Sequence, residues 1–146
     1  MTTEQRNAVV AEALLWKGTP YHTNAAVRGA GADCALMPLA VYREVLPDLP
    51  TVDLPAYTQQ WHLHRDEEKY LEYVRALGAL EIAECELQPG DFALWRVGRV
   101  YSHGAIVLGW PQVIHAVNPR GVVLADVSVD ENLSRTQISQ PLFFTF

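Results

Sequence analysis

The stretch from Gly29 to Glu44 reads GAGADCALMPLAVYRE and carries the strongest chemical signal in the chain. A glycine-rich loop leads into Asp33 and Cys34, and an apolar helical pattern begins at once. Asp33 suits a helix N-cap, because its carboxylate accepts hydrogen bonds from free backbone N–H groups one turn on. Cys34 then lies in the first turn of a helix that we expect to run to about Leu46. Free N–H groups and the helix dipole favour an anion there, so we expect a lowered pKa for the Cys34 thiol.

Cys34 is therefore predicted to be a catalytic nucleophile, and the chain a cysteine hydrolase. The plainer interpretation is that Cys34 is a small buried hydrophobic residue. The other cysteine, Cys85, lies between Glu84 and Glu86, whose carboxylates disfavour a thiolate. We interpret Cys85 as structural. Two cysteines cannot build a disulfide framework.

Length and composition indicate one globular domain over residues 1–146. The chain is 49% apolar and 19% charged, as is usual for globular proteins. The net charge of −6 argues against nucleic acid or a membrane surface as a partner. No run of eighteen apolar residues is present, so no membrane span is expected. The N-terminus lacks the basic and apolar blocks of a signal peptide.

Helical patterns come first in the chain and strand patterns follow, which predicts an α+β fold with helices packed on one antiparallel sheet. Thr3 is predicted to cap the first helix, and the second and third helices are predicted to begin at Cys34 and Asp66. Pro38 lies beyond the first turn of the second helix, where proline removes a hydrogen bond and favours a kink. The predicted strands are Leu80–Ile82, Phe92–Val97, Ser102–Leu108, Gln112–Val117, Val122–Val127 and Leu142–Phe146.

Two histidines lie on consecutive predicted strands. His103 opens one strand and His115 lies within the next, so antiparallel pairing brings them side by side. A reactive thiol needs a base, and the base needs a polar group that fixes its ring. Cys34, His103 and His115 fit the roles of nucleophile, general base and orienting group. The Cys34 N–H and the Tyr21 hydroxyl are candidate oxyanion donors.

Other interpretations of these residues stay open at this point. The two histidines suit ordinary half-buried strand positions, and with Cys34 they also suit a zinc site with one open position. His62 and His64 are further candidate zinc ligands, although loop positions suit them better. His22 is a candidate substrate contact. The aromatic residues Tyr57 and Trp61 suit either a cleft wall or a packed surface.

Five motifs follow one another in order: Gly-Thr-Pro-Tyr at 18–21, Asp-Cys at 33–34, Gln-Pro-Gly-Asp at 88–91, Ser-His-Gly-Ala-Ile-Val-Leu at 102–108 and Val-Ile-His-Ala at 113–116. Together they resemble the NlpC-type cell-wall cysteine peptidases. The chain is most similar to the small single-domain forms encoded with phage and prophage tail genes. The resemblance extends from about Ala8 to Val127.

The resemblance implies a papain-like α+β fold, with the cysteine helix packed on the sheet that carries the histidines. It implies cleavage of a peptidoglycan stem peptide, typically between D-glutamate and the diamino acid, without a cofactor or metal. By matching positions, Cys34 is the nucleophile, His103 the base and His115 the third polar residue. Tyr21 is an oxyanion or substrate contact, Asp33 shapes the helix start, and Ser102 lines the cleft.

The resemblance also implies phage tail proteins as partners. A virion protein made in the cytoplasm and carried to the cell wall by a tail would need no signal peptide. Leu36 departs from the family pattern, which has smaller residues after the cysteine. Two further functions stay open: a catalytically silent tail-tip or assembly subunit of the same fold, and a papain-like amidase or transferase acting on another amide.

Overall fold

The computed structural model describes residues 1–52, 68–134 and 140–146. Within these residues, helices pack on an antiparallel sheet, which confirms the predicted α+β fold. The helices are α1 (Thr3–Leu15), α2 (Leu36–Val45) and α3 (Lys69–Ala76), with a 3₁₀ turn at Glu84–Glu86. The strands are β1 (Ala26–Val27), β2 (Gly31–Ala32), β3 (Leu80–Ile82), β4 (Phe92–Val97), β5 (Val100–Gly109), β6 (Gln112–Val117), β7 (Gly121–Asp126) and β8 (Leu142–Thr145).

The main sheet has the strand order β3-β8-β4-β5-β6-β7, with every neighbour antiparallel. Strands β4 to β7 form the meander expected from the sequence. The last strand departs from it, because β8 returns and inserts between β3 and β4, where Phe144 pairs with both Glu81 and Phe92. A short hairpin, β1–β2, forms in the segment before the cysteine, which the sequence had indicated only as a loop.

Both faces of the sheet are covered. On one face, α1 and α2 pack through Val9, Met37 and Tyr42 against strand residues such as Ile106 and Ile114. On the other face, a second cluster gathers around Trp95, Val107, Val113, Leu133 and Phe143. Because successive strand residues point to opposite faces, the continuous apolar runs of β5 and β6 supply both clusters.

A buried ion pair fastens the first helix to the sheet. The Arg6 guanidinium contacts the Asp91 carboxylate at 2.6 Å, and Asp91 is fully buried. In the same turn, the Tyr42 hydroxyl of α2 donates to the Gly90 carbonyl at 2.9 Å. A Cβ atom at Gly90 would lie 3.2 Å from the Arg6 backbone. The Gln-Pro-Gly-Asp motif therefore joins both N-terminal helices to the start of β4.

Two predicted helix starts differ from the structure. Thr2, not Thr3, caps α1, since Thr2 and Gln5 exchange hydrogen bonds in a capping box. The regular part of α2 begins at Leu36 instead of Cys34. Five positions named in the sequence analysis lie outside the described residues: Tyr57, Trp61, His62, His64 and Asp66. Within the described residues, α3 begins at Lys69. Within the described ranges, no helix is long and apolar enough to span a membrane.

Candidate active site

Asp33 organises the turn that carries the cysteine. Its Oδ1 atom accepts hydrogen bonds from the backbone N–H groups of Ala35 at 3.0 Å and Leu36 at 2.8 Å. Its Oδ2 atom accepts the N–H of Asn24 at 2.7 Å, and the residue is fully buried. The predicted capping role of Asp33 is therefore confirmed. One carboxylate fixes both the turn at Cys34 and the loop before it.

The Cys34 thiol lies against the backbone on both sides of His103. Its Sγ atom is 3.6 Å from the Ser102 carbonyl oxygen, to which the thiol donates. The backbone N–H of Gly104 bonds to the sulfur and lowers the pKa of Cys34. The side chain of Cys34 is half-buried. The nucleophile candidate and the strand of the base candidate are thus in direct contact.

A β-bulge shapes that strand at Ser102. Trp95 of β4 pairs with His103, whereas the next residue, Arg96, pairs with Tyr101, so Ser102 is the extra residue. A bulge of this kind bends a strand and re-aims its neighbours. Ser102 is 7% exposed, and its carbonyl group is the part that contacts the thiol.

The expectation of a lowered pKa for Cys34 is wrong. Burial first, and then the negative charge of Asp33, raise the pKa of the Cys34 thiol to about 12. The N–H groups of Gly104 and of Cys34 itself act in the opposite direction and are outweighed. The thiol is therefore protonated at rest. The sequence does not show how deeply the fold buries the sulfur, and the residue that caps the helix is itself an anion next to the sulfur.

The two histidines form a pair, as the sequence predicted. His103 Nε2 lies 2.7 Å from His115 Nδ1, with the rings edge to face. The β5–β6 register pairs Ile106 with Ile114, so the histidines are diagonal neighbours on the sheet. His115 is fully buried, and its Nε2 atom has no hydrogen-bond partner among the described residues.

Both histidines are neutral at pH 7. Burial, reinforced for His103 by His115, lowers the pKa of His103 to about 3. Burial, with a smaller contribution from the positive charge of Arg120, lowers the pKa of His115 to about 4. The Asp130 carboxylate, which Arg120 contacts at 3.0 Å, opposes both shifts. An uncharged His103 is in the form that accepts a proton.

Tyr21 lies beside the cysteine turn and forms an isolated bridge to Ala32. Burial, followed by repulsion from the thiolate that Cys34 forms at high pH and from the Asp33 carboxylate, raises the pKa of its hydroxyl. Tyr21 therefore stays protonated as a hydrogen-bond donor.

His22 packs over Gly31, where a Cβ atom would lie 2.7 Å from the His22 ring.

Sequence reasoning missed one contact in this site. The Tyr70 hydroxyl of α3 donates to the Cys34 carbonyl oxygen at 2.8 Å. The available signal was Pro38, since proline cannot supply the N–H that would bond to this carbonyl in a helix. In the parts of the chain that the structure describes, no group of three or more His, Cys, Asp and Glu side chains is placed to hold a metal ion.

No family model and no curated protein matches the sequence. Solved structures do match the fold. The NlpC/p60 domain of the peptidoglycan hydrolase SagA superposes with a TM-score of 0.63 and 25% identity, over 97% of each chain. A lipoprotein-like NLP/P60 protein of Staphylococcus aureus gives a TM-score of 0.62 and 21% identity, over 97% of this chain and 42% of its own. The fold is that of NlpC/p60 domains.

The NlpC/p60 fold does not by itself decide whether this chain is an enzyme. RipD from Mycobacterium tuberculosis is described as a non-catalytic NlpC/p60 protein adapted to binding peptidoglycan. It superposes with a TM-score of 0.59 and 13% identity over 97% of each chain. One fold therefore serves a hydrolase and a non-catalytic protein, and the side chains of the site must carry the functional argument.

Proposed function

We propose that this chain is a cysteine peptidase that hydrolyses peptidoglycan stem peptides. One observation carries the proposal: the Cys34 thiol contacts the backbone beside His103, and His103 pairs with His115 at 2.7 Å. Thiol catalysis needs a nucleophile, a nearby base and a third group that orients the base. The likeness to the domain of SagA, a peptidoglycan hydrolase, supports the substrate class.

In the proposed reaction, Cys34 Sγ attacks the amide carbonyl carbon while its proton passes to His103. Nδ1 of His103 takes this proton, because Nε2 faces His115. The carbon–nitrogen bond then breaks, and His103 returns the proton to the leaving amine. A thioester on Cys34 remains. Water, deprotonated by His103, hydrolyses this thioester and restores the thiol.

Proton transfer accompanies the attack in this scheme instead of preceding it. Burial favours the neutral thiol of Cys34 and the neutral imidazole of His103, so a preformed ion pair is disfavoured. The developing oxyanion would be stabilised by the Cys34 N–H and by the Tyr21 hydroxyl, which keeps its proton.

The finer assignments rest on the resemblance of the sequence motifs. The bond proposed is that between γ-D-glutamate and the diamino acid. Ser102 is proposed to border the bound peptide, whereas the buried Asp33 shapes the turn that carries Cys34. The setting proposed is the tail of a phage or prophage, with other tail proteins as partners and the cell wall as the place of action. Labelling of isolated tail particles with an antibody against this chain tests that setting, and particles without the chain would contradict it.

Mass spectrometry of peptidoglycan fragments tests the peptidase proposal. Fragments are incubated with the protein, with Cys34→Ala and with the control Cys85→Ala. A new amine at the diamino acid should appear with the protein and with Cys85→Ala, and not with Cys34→Ala. The cut should survive a strong chelator, whereas loss that zinc reverses would favour a metal site. Fragments that bind without being cut would place this chain with the non-catalytic proteins, and a cut at another amide would identify an amidase.

A further inference from the structure

We propose that the Tyr70 hydroxyl is a positioning residue that fixes Cys34 against the strand of His103 by holding the Cys34 carbonyl oxygen. The inference rests on the proposed function and adds a residue to that site. The hydrogen bond is 2.8 Å long and links α3 to the nucleophile turn. Tyr70 is 8% exposed, so water competes little for this contact.

Pro38 explains why this carbonyl needs an outside donor. In a helix, the carbonyl of residue 34 accepts the N–H of residue 38. The helical bond one residue earlier is present, because the Met37 N–H donates to the Asp33 carbonyl at 3.2 Å. Residue 38 is proline and has no N–H, so the same bond to the Cys34 carbonyl is missing. The Tyr70 hydroxyl therefore takes the place of the missing donor. A substitution at Pro38 should therefore change how much the Tyr70 hydroxyl contributes to the position of Cys34.

The same hydroxyl also touches the histidine strand. A Cβ atom at Gly104 would overlap with the Tyr70 hydroxyl and with the Phe92 ring. Gly104 follows His103 and supplies the N–H that bonds to the Cys34 sulfur. Tyr70 thus meets the nucleophile turn and the base strand at one point. A small movement there would change the distance between thiol and base.

The start of α3 is held independently of Tyr70. The Glu68 carboxylate accepts the N–H of Tyr101 at 2.8 Å and contacts the Arg96 guanidinium at 2.8 Å. The Tyr70 ring packs against Phe92, with 6.1 Å between centroids. Replacing Tyr70 by phenylalanine therefore keeps the helix and the ring in place and removes the hydroxyl alone.

Alkylation of Cys34 by iodoacetamide measures its position without any substrate. All variants carry Cys85→Ser, so that only Cys34 reacts. Tyr70→Phe should slow alkylation at pH 7 by about tenfold and move its pH profile upward, as the sulfur leaves the Gly104 N–H. Tyr73→Phe, the same change on the same helix, should leave the rate unchanged. On a stem peptide, kcat should fall by about tenfold with KM within about twofold, since misplacement by 1 Å can cost about 100-fold.

Pro38→Ala supplies the decisive comparison. It restores an N–H at residue 38, so Pro38→Ala combined with Tyr70→Phe should recover most of the lost alkylation rate. An unchanged or raised rate in Tyr70→Phe would overturn the proposal. The proposal would also be overturned if the double variant alkylates as slowly as Tyr70→Phe alone. That result would mean that the Tyr70 substitution acts through ring packing and not through the lost hydrogen bond. Circular dichroism confirms that each variant is folded. Failure of the peptidase proposal shows as absent turnover in the unsubstituted protein and leaves the alkylation result intact.

Discussion

His103 Nε2 and His115 Nδ1 lie 2.7 Å apart, so a single proton lies between the two rings. If His103 is to accept a proton at Nδ1, this shared proton belongs to His103 and His115 is the acceptor. The remaining proton of His115 is then on Nε2, which is buried without a hydrogen-bond partner among the described residues. The pair thus assigns different tasks to two chemically identical side chains.

The first prediction concerns this difference. His103→Ala removes the base and should lower kcat by about 100- to 10,000-fold, the usual range for general-base catalysis. His115→Asn keeps an acceptor close to the position of Nδ1 and should cost only about tenfold. Steady-state kinetics on a stem peptide, with thermal unfolding as the fold control, gives both values. Equal losses would refute the assigned roles.

The second prediction concerns stability below neutral pH. The pKa values of both histidines are about 3 and 4 in the folded protein and about 6.5 in an unfolded chain. The unfolded chain therefore binds more protons as the pH falls below 6.5, and folding stability falls with it. The free energy of unfolding should fall by about 2 kcal/mol for each histidine between pH 7 and pH 5. This is because pH 5 lies about 1.5 units below the unfolded pKa, and one unit corresponds to about 1.4 kcal/mol.

Urea unfolding at pH 7 and pH 5 measures this effect. The double substitution His103→Gln and His115→Gln removes the two groups and should remove most of the difference between the two pH values. Carboxylates titrate equally in both proteins and cancel in the comparison. A double variant as sensitive to pH as the original protein would mean that other groups cause the effect.

The third prediction separates two effects of Asp33. Its charge raises the pKa of Cys34, so Asp33→Asn should shift the alkylation profile of Cys34 to lower pH. The asparagine leaves at least one backbone N–H facing an amide nitrogen, which should cost about 1–3 kcal/mol. The variant should therefore have a more acidic thiol and a less stable fold. Asp48→Asn, at an exposed position, is the control and should change neither property.

The fourth prediction compares a buried ion pair with an exposed one. Arg6→Met leaves the fully buried Asp91 without its cation and should cost about 3–5 kcal/mol. Arg75→Met breaks a pair with Glu81 in which both side chains are about half exposed, and should cost less than about 1 kcal/mol. Urea unfolding at pH 7 measures both. If Arg6→Met costs as little stability as is expected for Arg75→Met, the Arg6 pair is not important for stability.

Local patterns in the sequence predicted the parts of the fold that depend on near neighbours. Strands β4 and β6 have the predicted bounds, and Asp33 makes the predicted cap. The insertion of β8 and the contact between Arg6 and Asp91 join residues far apart in the chain, which periodicity does not encode. The site divides in the same way: the histidine pair follows from strand alternation, whereas Tyr70 reaches Cys34 only through the tertiary fold.

The last prediction concerns Gly104, where the close packing leaves no room for a side chain. Gly104→Ala would force a methyl group into the Tyr70 hydroxyl and the Phe92 ring, and should cost about 1–3 kcal/mol or more. Gly78→Ala is a control for backbone strain alone, because Gly78 has a φ of +85° and open space around it. Gly104→Ala should also slow alkylation of Cys34, whereas Gly78→Ala should not. A Gly104→Ala protein with unchanged stability and thiol reactivity would show that the contact between α3 and the histidine strand adapts freely, and that Tyr70 does not fix the nucleophile.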